Sequence, residues 1–513
     1  MTIRTSLLGA VAVTALLISG CMVGPDFERP KTPEKAGYTA EKLPELSAGS
    51  PQIPGGEPQR FVDDLDIPGQ WWTLFHSPDL NTLIEQALRA NPSLEAAQAT
   101  LRQAQENVYA EEGALLPNAD LSLSEAREKI SGASFGSRGS FPPFQLHQAA
   151  INVSYGLDVF GGIRRQVESL QAQAEFQRFQ LEATYLTLTS NVVLAAVQEA
   201  SLRAQISATE DIIQAQSEQL NLLRQQFELG ATSRAAVLAQ ESTLAQTKAT
   251  LPPLQKLEAQ QRNLLAVLAG RFPNDAPAEI FDLGVLNLPQ DLPLSLPSKL
   301  VEQRPDIRSA EATVHQTSAE VGVATANMLP QITLTGSYGR TAVHFSGLGN
   351  PSNAVWSIGA GLAQPLFHGG TLTHQKRAAE AAFQAAAAQY RNTVLTAFQN
   401  VADALRALEA DANALAAQVE AERSSLDSLD MSRRQFQLGA IPYASLLDAE
   451  RTYQQARINL VQAQANRFSD TAALFQALGG GWWNRGDVTD KKMKMIKAGS
   501  GTRVEASTVE SGQ

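Results

Sequence analysis

Gln226-Phe227-Glu228-Leu229-Gly230-Ala231 recurs about 210 residues later as Gln435-Phe436-Gln437-Leu438-Gly439-Ala440. Ordered matches at one offset indicate an internal duplication, and this unit is too long for a solenoid repeat. We therefore predict two copies of one large module, at 79–270 and 304–480. Three further pairs of segments keep the same order and nearly the same offset: Asn91-Pro92-Ser93-Leu94 with Arg304-Pro305-Asp306-Ile307, Phe160-Gly161-Gly162 with Phe367-His368-Gly369-Gly370, and Leu268-Ala269-Gly270 with Leu478-Gly479-Gly480.

Two very long helices are predicted by runs that contain neither Gly nor Pro, from Ile163 to Leu229 and from Thr371 to Leu438. Each run has about 67 residues and would reach about 100 Å as a helix, whereas an average helix has about 11 to 12 residues. Other helical stretches, near Asp79 to Glu112 and Ser233 to Gly270, are about half as long. Two of these placed end to end would match one long helix in length.

Alternating residues predict a pair of strands within each module. Ile151 to Val159 alternates apolar residues with polar or small ones, which is the period of a strand with one apolar face. Trp356 to Leu362 repeats the pattern, and shorter partners are expected at 119–123 and 332–338. The segments that join each pair are rich in Gly, Ser and Pro and predict surface hairpin loops, around 132–144 and 339–353.

The N-terminus carries the pattern of a bacterial lipoprotein signal. Arg4 precedes an apolar run, Leu7 to Ile18, that is too short to span a bilayer as a mature helix. The run ends in Ile18-Ser19-Gly20-Cys21, which resembles a lipoprotein cleavage site. We therefore predict a removed signal peptide at 1–20 and a covalent lipid on Cys21, which would hold the chain at a membrane without spanning it. The alternative is an ordinary secretory signal with a chance cysteine.

Composition argues against nucleic-acid binding and against catalysis. The net charge is −11, and no basic block precedes the Lys-rich end of the chain, whereas phosphate binding requires clustered Lys and Arg. The single cysteine excludes a disulfide within the chain and a cysteine metal cluster. The six histidines have no carboxylates at ligand spacing, and no Gly-rich phosphate loop follows a strand. We predict no enzyme activity, no metal, and no cofactor apart from the lipid on Cys21.

Four strands per chain require a larger assembly if they lie in a membrane. An open sheet edge is not tolerated in lipid, and membrane barrels begin at about eight strands. Three chains would supply twelve strands, with Ile151 and Val153 facing lipid and Asn152 and Ser154 facing water. The alternative is an antiparallel sheet packed on the helices of a soluble domain. The lipoprotein signal and the long helices favour the barrel.

Several segments together resemble a known family. Cys21-Met22-Val23-Gly24-Pro25-Asp26-Phe27-Glu28-Arg29-Pro30 looks like the mature N-terminus of the NodT-type outer-membrane efflux lipoproteins, which belong to the TolC/OprM superfamily of outer-membrane factors. The resemblance covers roughly residues 21 to 485. Further segments similar to that family are Trp71-Trp72, Phe75 to Leu80, Asn91-Pro92 and Ala477-Leu478-Gly479-Gly480-Gly481-Trp482.

The resemblance implies a mostly α-helical homotrimer with a twelve-stranded membrane β-barrel and a twelve-helix α-barrel tunnel. Segments 21–78 and 271–303, together with the end of the chain, would form a mixed girdle around the tunnel. The implied location is the outer membrane of a Gram-negative bacterium. The implied partners are a periplasmic adaptor (membrane fusion protein) and an inner-membrane pump of the resistance-nodulation-division class. The C-terminal tail is placed at 481–513 and is predicted to be disordered, because residues 486–513 are polar.

We accordingly predict a passive conduit that exports drugs or other small molecules as the outer-membrane component of a tripartite efflux system. One alternative from the same superfamily is the outer-membrane channel of a type I protein secretion system. Another is the pump's periplasmic adaptor, against which the paired strands and the duplicated module argue. A lipid-anchored enzyme is the remaining alternative, although no catalytic constellation supports it.

The two Leu-Gly-Ala turns are the predicted contacts with the adaptor, because in the family these turns are the periplasmic tips. A glycine at the end of a long helix also supplies a left-handed cap, so part of its role is structural. Ile441-Pro442 replaces Thr232-Ser233, so the two tips would not be equivalent contacts. The residues to which the resemblance assigns this contact are Gly230, Ala231, Thr232, Gly439, Ala440 and Ile441.

Asp427 and Asp430 are the predicted periplasmic gate. They lie about 14 to 18 Å before the second tip along the helix and share one helix face. Ser424-Ser425-Leu426-Asp427 is similar to the family's entrance constriction, so in a trimer the carboxylates would form rings that favour cations and respond to pH. The alternative is a solvated helix face. Nearby candidates for latching salt bridges are Arg423, Arg433 and Arg434.

Overall fold

The computed structural model describes residues 22–31, 37–50, 52–131, 133, 136, 140 and 142–488. The predicted signal peptide, Cys21 and the tail from residue 489 lie outside the described residues. The chain divides into two compact units, each assembled from three separate stretches. The first unit comprises the residues up to Pro30, Ala99–Arg178 and Ser309–Arg391. The second comprises Lys31–Gln98, Phe179–Arg308 and the residues from Asn392 onward.

Helices dominate the described chain and occur in the same order in its two halves. The two longest have 67 residues each and the two that follow them have 35 each. The long helices start and stop within one residue of the runs without Gly and Pro, so that prediction is confirmed. The α-helices, in order, are α1 (Pro78–Ala90), α2 (Pro92–Glu112), α3 (Gly162–Glu228), α4 (Arg234–Leu268), α5 (Pro297–Gln303), α6 (Pro305–Ala326), α7 (Thr371–Gln437) and α8 (Tyr443–Ala477).

The helical stretch predicted near Asp79 to Glu112 is two helices, because the backbone leaves the helical region at Asn91 (φ −73°, ψ 120°). Pro92 has no amide N–H and disfavours a helical conformation in the residue before it. The Asn91 side chain then accepts from the Ser93 amide and donates to the carbonyl of Leu268 (2.9 Å each). The amide side chain thus starts α2 and ties it to the end of α4.

The first unit contains a four-stranded antiparallel sheet in the order β2-β3-β5-β6. Its strands are longer than predicted, because the alternating pattern continues through small residues. Gly339, predicted to lie in a loop, instead pairs with Ala150, and a Cβ at Gly339 would lie 2.4 Å from the carbonyl oxygen of Ala149. The close approach of the strands explains the glycine better than a turn does. The described strands are β1 (Arg60–Asp63), β2 (Asn118–Glu128), β3 (Phe144–Leu157), β4 (Asp291–Leu294), β5 (Gln331–Ala342) and β6 (Ala354–Ala363).

The core of the second unit is aromatic where the 3-10 helix Trp71–Phe75 packs on α8. Trp71 and Phe75 are buried, and Trp71 stacks on Phe475 with ring centroids 5.4 Å apart. Beside this core, β1 and β4 form a short parallel pair. Burial of these rings is what joins the segment before α1 to the last long helix.

Residues 481–488 belong to this packed region, which corrects the predicted start of the disordered tail at 481. The indole of Trp482 donates to the carbonyl of Gln303 (2.6 Å), and Arg485 pairs with Glu182 (2.7 Å). Arg485 also lies over the ring of Tyr185, 4.1 Å from its centroid. The amide of Val488 donates to the carbonyl of Arg485 (3.1 Å), so the chain is ordered to at least Val488.

In the described part of the chain, no helix has both the length and the hydropathy that crossing a membrane requires.

Candidate functional site

The two faces of the four-stranded sheet differ in polarity. Leu121 pairs with Ile151, Ile151 with Tyr338, and Tyr338 with Trp356, which gives one apolar row across all four strands. All four of these side chains are exposed, and Trp356 is 71% exposed. Large apolar side chains aligned and exposed in this way indicate a surface that meets an apolar environment.

The row next to it, on the opposite face, is polar. Asp120 pairs with Asn152, Asn152 with Ser337, and Ser337 with Ser357. The Asn152 amide donates to the hydroxyl of Ser122 (2.9 Å), and the hydroxyls of Ser337 and Ser357 are 2.8 Å apart. This face therefore carries its own hydrogen bonds and suits contact with water.

Both outer edges of this sheet are open within the described chain, because β2 and β6 each pair on one side only. The strands have 11 and 10 residues, so each edge presents a long row of backbone donors and acceptors. A long exposed edge favours pairing with another strand. Each of the two edge strands can therefore pair with a further strand.

An N-terminal strap, residues 22–30, lies on α3 and α6 of the first unit. Val23 donates its amide to the carbonyl of Phe160 (3.1 Å), next to the end of β3. The side chain of Arg165, only 1% exposed, donates to the carbonyl of Val23 (3.1 Å) and to Asp26 (2.7 Å). Arg29 pairs with Glu311 (2.7 Å). The strap therefore fixes the chain from the first described residue after Cys21.

Glycines make this close seating possible. A Cβ at Gly24 would lie 2.4 Å from the Cα of Gly322, and Gly24 has a φ of +94° that favours glycine. A Cβ at Gly322 would lie 2.8 Å from Cγ of Arg165 and 2.9 Å from the carbonyl oxygen of Val23. Gly24 lies in the segment that resembles the family, but its close approach to Gly322 could not be read from the sequence.

The two Leu-Gly-Ala turns have the same backbone geometry. Gly230 (φ +74°) donates to Phe227 and Ala231 donates to Gln226, at 3.0 and 2.8 Å. Gly439 (φ +71°) and Ala440 make the equivalent bonds, both at 2.9 Å. Each turn thus closes its long helix with a Schellman motif.

The turns differ in how the next helix starts. The Ser233 hydroxyl accepts from the Ala236 amide (3.3 Å) and caps α4, whereas Pro442 precedes α8 and has no side-chain oxygen to offer. The leucines before the glycines, Leu229 and Leu438, are 83% and 84% exposed. Each tip therefore presents an apolar side chain to its surroundings, on two differently capped turns.

Behind the tips, the hairpin α3–α4 packs against the hairpin α7–α8, and we call this contact the hairpin junction. All four helices contribute apolar side chains to it. A hydrogen bond from the Tyr443 phenol to Oε1 of Gln240 crosses it. The buried apolar residues of the hairpin junction are Leu220, Leu223, Ala236, Val237, Leu244, Leu429, Tyr443, Leu446 and Leu447.

Asp427 and Asp430 are exposed on α7, while Ser425 and Leu429 between and before them are buried. Nη1 of Arg433 lies 3.7 Å from Oδ1 of Asp430, a distance typical of a weak, exposed ion pair. The two carboxylates therefore face away from the hairpin junction. In a single chain the two carboxylates are exposed to solvent. Both a gate formed in a trimer and a simple solvated helix face would show this arrangement.

Buried carboxyls form a group of residues that the sequence analysis missed. Glu450, on α8, is 5% exposed, and burial raises its pKa. Burial, together with a hydrogen bond to Asp411, raises the pKa of Asp470 to about 7. Arg467, beside this pair, donates to the carbonyl of Leu408 (3.0 Å). In the sequence these acids look like any others on a helix, and only the contact between elements buries them.

Among the described residues, no group of three or more His, Cys, Asp or Glu side chains is placed to hold a metal ion. His315, the best-connected histidine, has Nε2 2.9 Å from Oε1 of Glu168 and stacks on Phe27 of the strap, with centroids 4.3 Å apart. Its contacts serve the seating of the strap.

Comparison with known proteins gives relatives along nearly the whole chain. A probable efflux pump outer membrane protein TtgC of Pseudomonas putida is 27% identical over 484 residues, which cover 94% of this chain and 97% of the relative. The pyoverdine export outer membrane protein OpmQ of Pseudomonas aeruginosa is 29% identical and covers 80% of this chain and 87% of the relative. The cation efflux system protein CusC of Escherichia coli is 26% identical and covers 91% and 97%.

Solved structures agree in fold. The outer-membrane channel OprN superposes with a TM-score of 0.80 at 28% identity and covers 90% of this chain and all of its own. The outer membrane protein VceC of Vibrio cholerae has a TM-score of 0.76 at 26% identity, over 81% of this chain and all of its own. The family model described as Outer membrane efflux protein matches residues 83–271 and 296–480. The resemblance to outer-membrane factors is thereby confirmed, and the chain belongs to the outer membrane efflux protein family.

Proposed function

We propose that three copies of the chain form a passive duct through the outer membrane, as the outer-membrane component of an efflux pump. The single observation that carries this proposal is the sheet, with an apolar row on one face, a polar row on the other and two open edges. A sheet of this kind is stable in lipid only after its edges are closed.

Closure and an open lumen together set the number of copies, because two sheets would give only eight strands, a barrel whose interior the side chains fill. Four strands cannot close a membrane barrel, which needs about eight or more, and three sheets joined edge to edge give twelve. In this arrangement β2 of one copy pairs with β6 of the next. The row that contains Ile151 and Trp356 faces lipid, and the row that contains Asn152 and Ser337 lines the lumen. A barrel of this size leaves room for solute.

The helices of the three copies line the tunnel that continues the duct. Each half of the chain has one helix of 67 residues and one of 35. We therefore propose that the halves arose by duplication and contribute equivalent helices to the tunnel wall. The match of the family model to two segments of similar length supports this.

The lipid on Cys21 is the proposed tether to the outer membrane. The strap supports it, because Val23 is bound to Phe160, three residues after the end of β3. A lipidated Cys21 would therefore lie close to the sheet that enters the membrane. The acyl chains would hold the chain at the membrane without spanning it, so only the sheet can form the path across.

The partners that we propose are a periplasmic adaptor, bound at the two tips, and an inner-membrane pump of the resistance-nodulation-division class. The exposed leucines beside the tip residues Gly230, Ala231, Thr232, Gly439, Ala440 and Ile441 support this. Asp427 and Asp430 would form the periplasmic gate as carboxylate rings. The relatives' names speak of efflux pumps, cation efflux and pyoverdine export, which favours small-molecule efflux over type I protein secretion.

Native mass spectrometry of the protein extracted from outer membranes tests the assembly and the anchor together. We expect a particle of three chains, each shortened by residues 1–20 and carrying lipid mass on Cys21. A Cys21→Ser variant should lose the lipid mass yet keep the trimer, because the strands close the barrel. Monomers that carry the full N-terminus would overturn the proposal.

A further inference from the structure

Three polar links that start on α8 cross the hairpin junction. Tyr443 donates to Gln240 on α4, and both side chains are buried. Arg451 donates to the hydroxyl of Thr243 on α4 (3.4 Å), and Arg457 pairs with Asp211 on α3 (2.7 Å). One helix of the second hairpin thus carries the polar contacts to the first. Movement of α8 away from α3 and α4 would break all of them.

Glu450 lies in the middle of this row of links. It follows Leu446 and Leu447 by four and three residues, so it occupies the apolar face of α8 that packs into the hairpin junction. The residue is 5% exposed, and its Oε2 has no hydrogen-bond partner among the described residues. A buried carboxylate oxygen without a hydrogen-bond partner disfavours the charged form of the group, whereas the neutral acid is tolerated.

A second polar residue of the hairpin junction is also poorly satisfied. Gln216 on α3 is 2% exposed, and neither its side-chain oxygen nor its side-chain nitrogen has a partner in the described part of the structure. Its backbone carbonyl accepts from Gln240 (2.9 Å). Buried polar atoms without partners lower the stability of a contact. The packed junction is therefore weaker than its apolar residues alone would make it.

We propose that the proton on Glu450 controls whether the two hairpins of a chain stay packed together. With the proton, Glu450 is neutral and remains in the hairpin junction. When Glu450 loses this proton, its charged carboxylate is stable only in contact with water, and the hairpins separate behind the tips. In the proposed channel this separation would widen the periplasmic entrance. That consequence rests on the proposed function, whereas the junction itself belongs to one chain.

The charges around Glu450 support this direction. Burial raises its pKa, and Arg433 on α7 offsets only part of the increase. On α8, Tyr443 has its own pKa raised by burial and by Glu450, so it stays neutral. Helices α3 and α4 face the junction with Gln216, Gln240 and Thr243, which do not titrate, while Asp211 is engaged by Arg457.

The sign follows from the two states. In the separated state Glu450 is solvated and titrates at its ordinary pKa, whereas in the packed state its pKa is higher. Protons are therefore bound more tightly by the packed state, and raising the pH favours separation. Between the two pKa values, each pH unit should raise the ratio of separated to packed hairpins about tenfold. Acid pH keeps the hairpins packed.

Distance measurements by electron spin resonance on the full-length protein in lipid nanodiscs test this directly. Spin labels on ketone-bearing residues at Gln246 (α4) and Gln455 (α8) report on the hairpins, because both residues line the groove between the two helices. This chemistry leaves Cys21 untouched. We expect a longer-distance population that grows in the wild type as the pH is raised above the ordinary pKa of a glutamate, about 4.3.

The Glu450→Gln variant should stay packed at every pH, because the amide cannot ionise. Asp448→Asn removes an exposed carboxylate two residues earlier on α8 and should keep the wild-type response. The proposal is overturned if the wild-type distances do not change with pH, or if Glu450→Gln changes as the wild type does. Absence of conductance with an intact distance response would instead contradict the proposed channel.

Discussion

The phenol of Tyr443 donates a hydrogen bond to Oε1 of Gln240, and this buried bond joins the two helical hairpins of one chain. Tyr443 is the first residue of α8, immediately after the second tip, so the link lies where the tips would have to move apart. Gln240 in turn donates to the carbonyl of Gln216 (2.9 Å). Removal of the phenol would leave a buried acceptor without a donor.

Tyr443→Phe should therefore weaken the hairpin junction by about 1–3 kcal/mol, the cost of an unsatisfied buried acceptor. Amide hydrogen exchange of peptides that contain Leu220 and Leu223 should become faster, because local opening exposes them. Tyr109→Phe, at a residue that is exposed on α2, is the control and should change nothing. Unchanged exchange in Tyr443→Phe would mean that the bond contributes nothing to the junction.

The polarity of the sheet predicts opposite results for two neighbouring residues of β3. Ile151→Lys places a charge in the apolar row and should cost up to about 4 kcal/mol at the bilayer midplane. Asn152→Lys places the same charge in the polar row and should assemble normally. Trimer yield in outer-membrane fractions measures both. Equal yields would contradict the assignment of the two faces.

The seat of the strap predicts that Gly322→Ala is harmful, although alanine in a helix is ordinarily more favourable than glycine by about 1 kcal/mol. The new Cβ would lie 2.8 Å from Cγ of Arg165 and 2.9 Å from the carbonyl oxygen of Val23. Relief of this overlap should cost about 1–3 kcal/mol.

Protease cleavage within residues 22–30 is the measurement, and Gly322→Ala should be cut faster than the wild type. Gly113→Ala is the matched control, because no atom lies within 4 Å of a Cβ at Gly113. If the strap of Gly322→Ala resists the protease as the wild type does, the close approach of Gly24 and Gly322 is not what holds it.

The pair of Asp470 and Asp411 predicts a stability that depends on pH. Burial and the bond to Asp411 raise the pKa of Asp470 from 3.8 to about 7. Because the folded pKa lies above the unfolded one, the contribution is complete below about pH 4 and is lost as the pH rises through about 7. The melting temperature of the wild type should fall across this range.

Asp470→Asn should remove that fall, because the amide holds no titrating proton. Asp403→Asn, at an exposed residue of α7, serves as its control and should keep the wild-type profile. A wild-type melting temperature that rises from pH 5 to about pH 8 would contradict the direction of the pKa change.

Local patterns were sufficient for the long elements of this fold. The runs without Gly and Pro predicted both ends of α3 and α7 to within one residue. The alternation of apolar with polar or small residues identified β3 and β6. The errors arose where another segment determines the outcome. Gly339 has the sequence context of a turn, but it pairs with Ala150 in the sheet. Arg485 has the context of a polar tail, but it forms an ion pair with Glu182.

The candidate site residues show the same difference between local structure and contacts made by distant segments. The Schellman glycines Gly230 and Gly439 could be predicted, because a cap is a local structure. Their contact with an adaptor stays a prediction, as does the gate at Asp427 and Asp430. Glu450 could not be found from the sequence, because its burial is produced by the opposing hairpin. Only the packing of α8 on α3 and α4 distinguishes it from exposed Asp448.

Single-channel recording in planar lipid bilayers tests the central claim, a duct made of three chains, most directly. The purified protein should insert and give discrete conductance steps, and Asn152→Lys in the proposed lumen should alter the conductance or ion selectivity of each step. A correctly folded and lipidated protein that never forms pores, or whose conductance and selectivity are both unaffected by Asn152→Lys, would contradict the account.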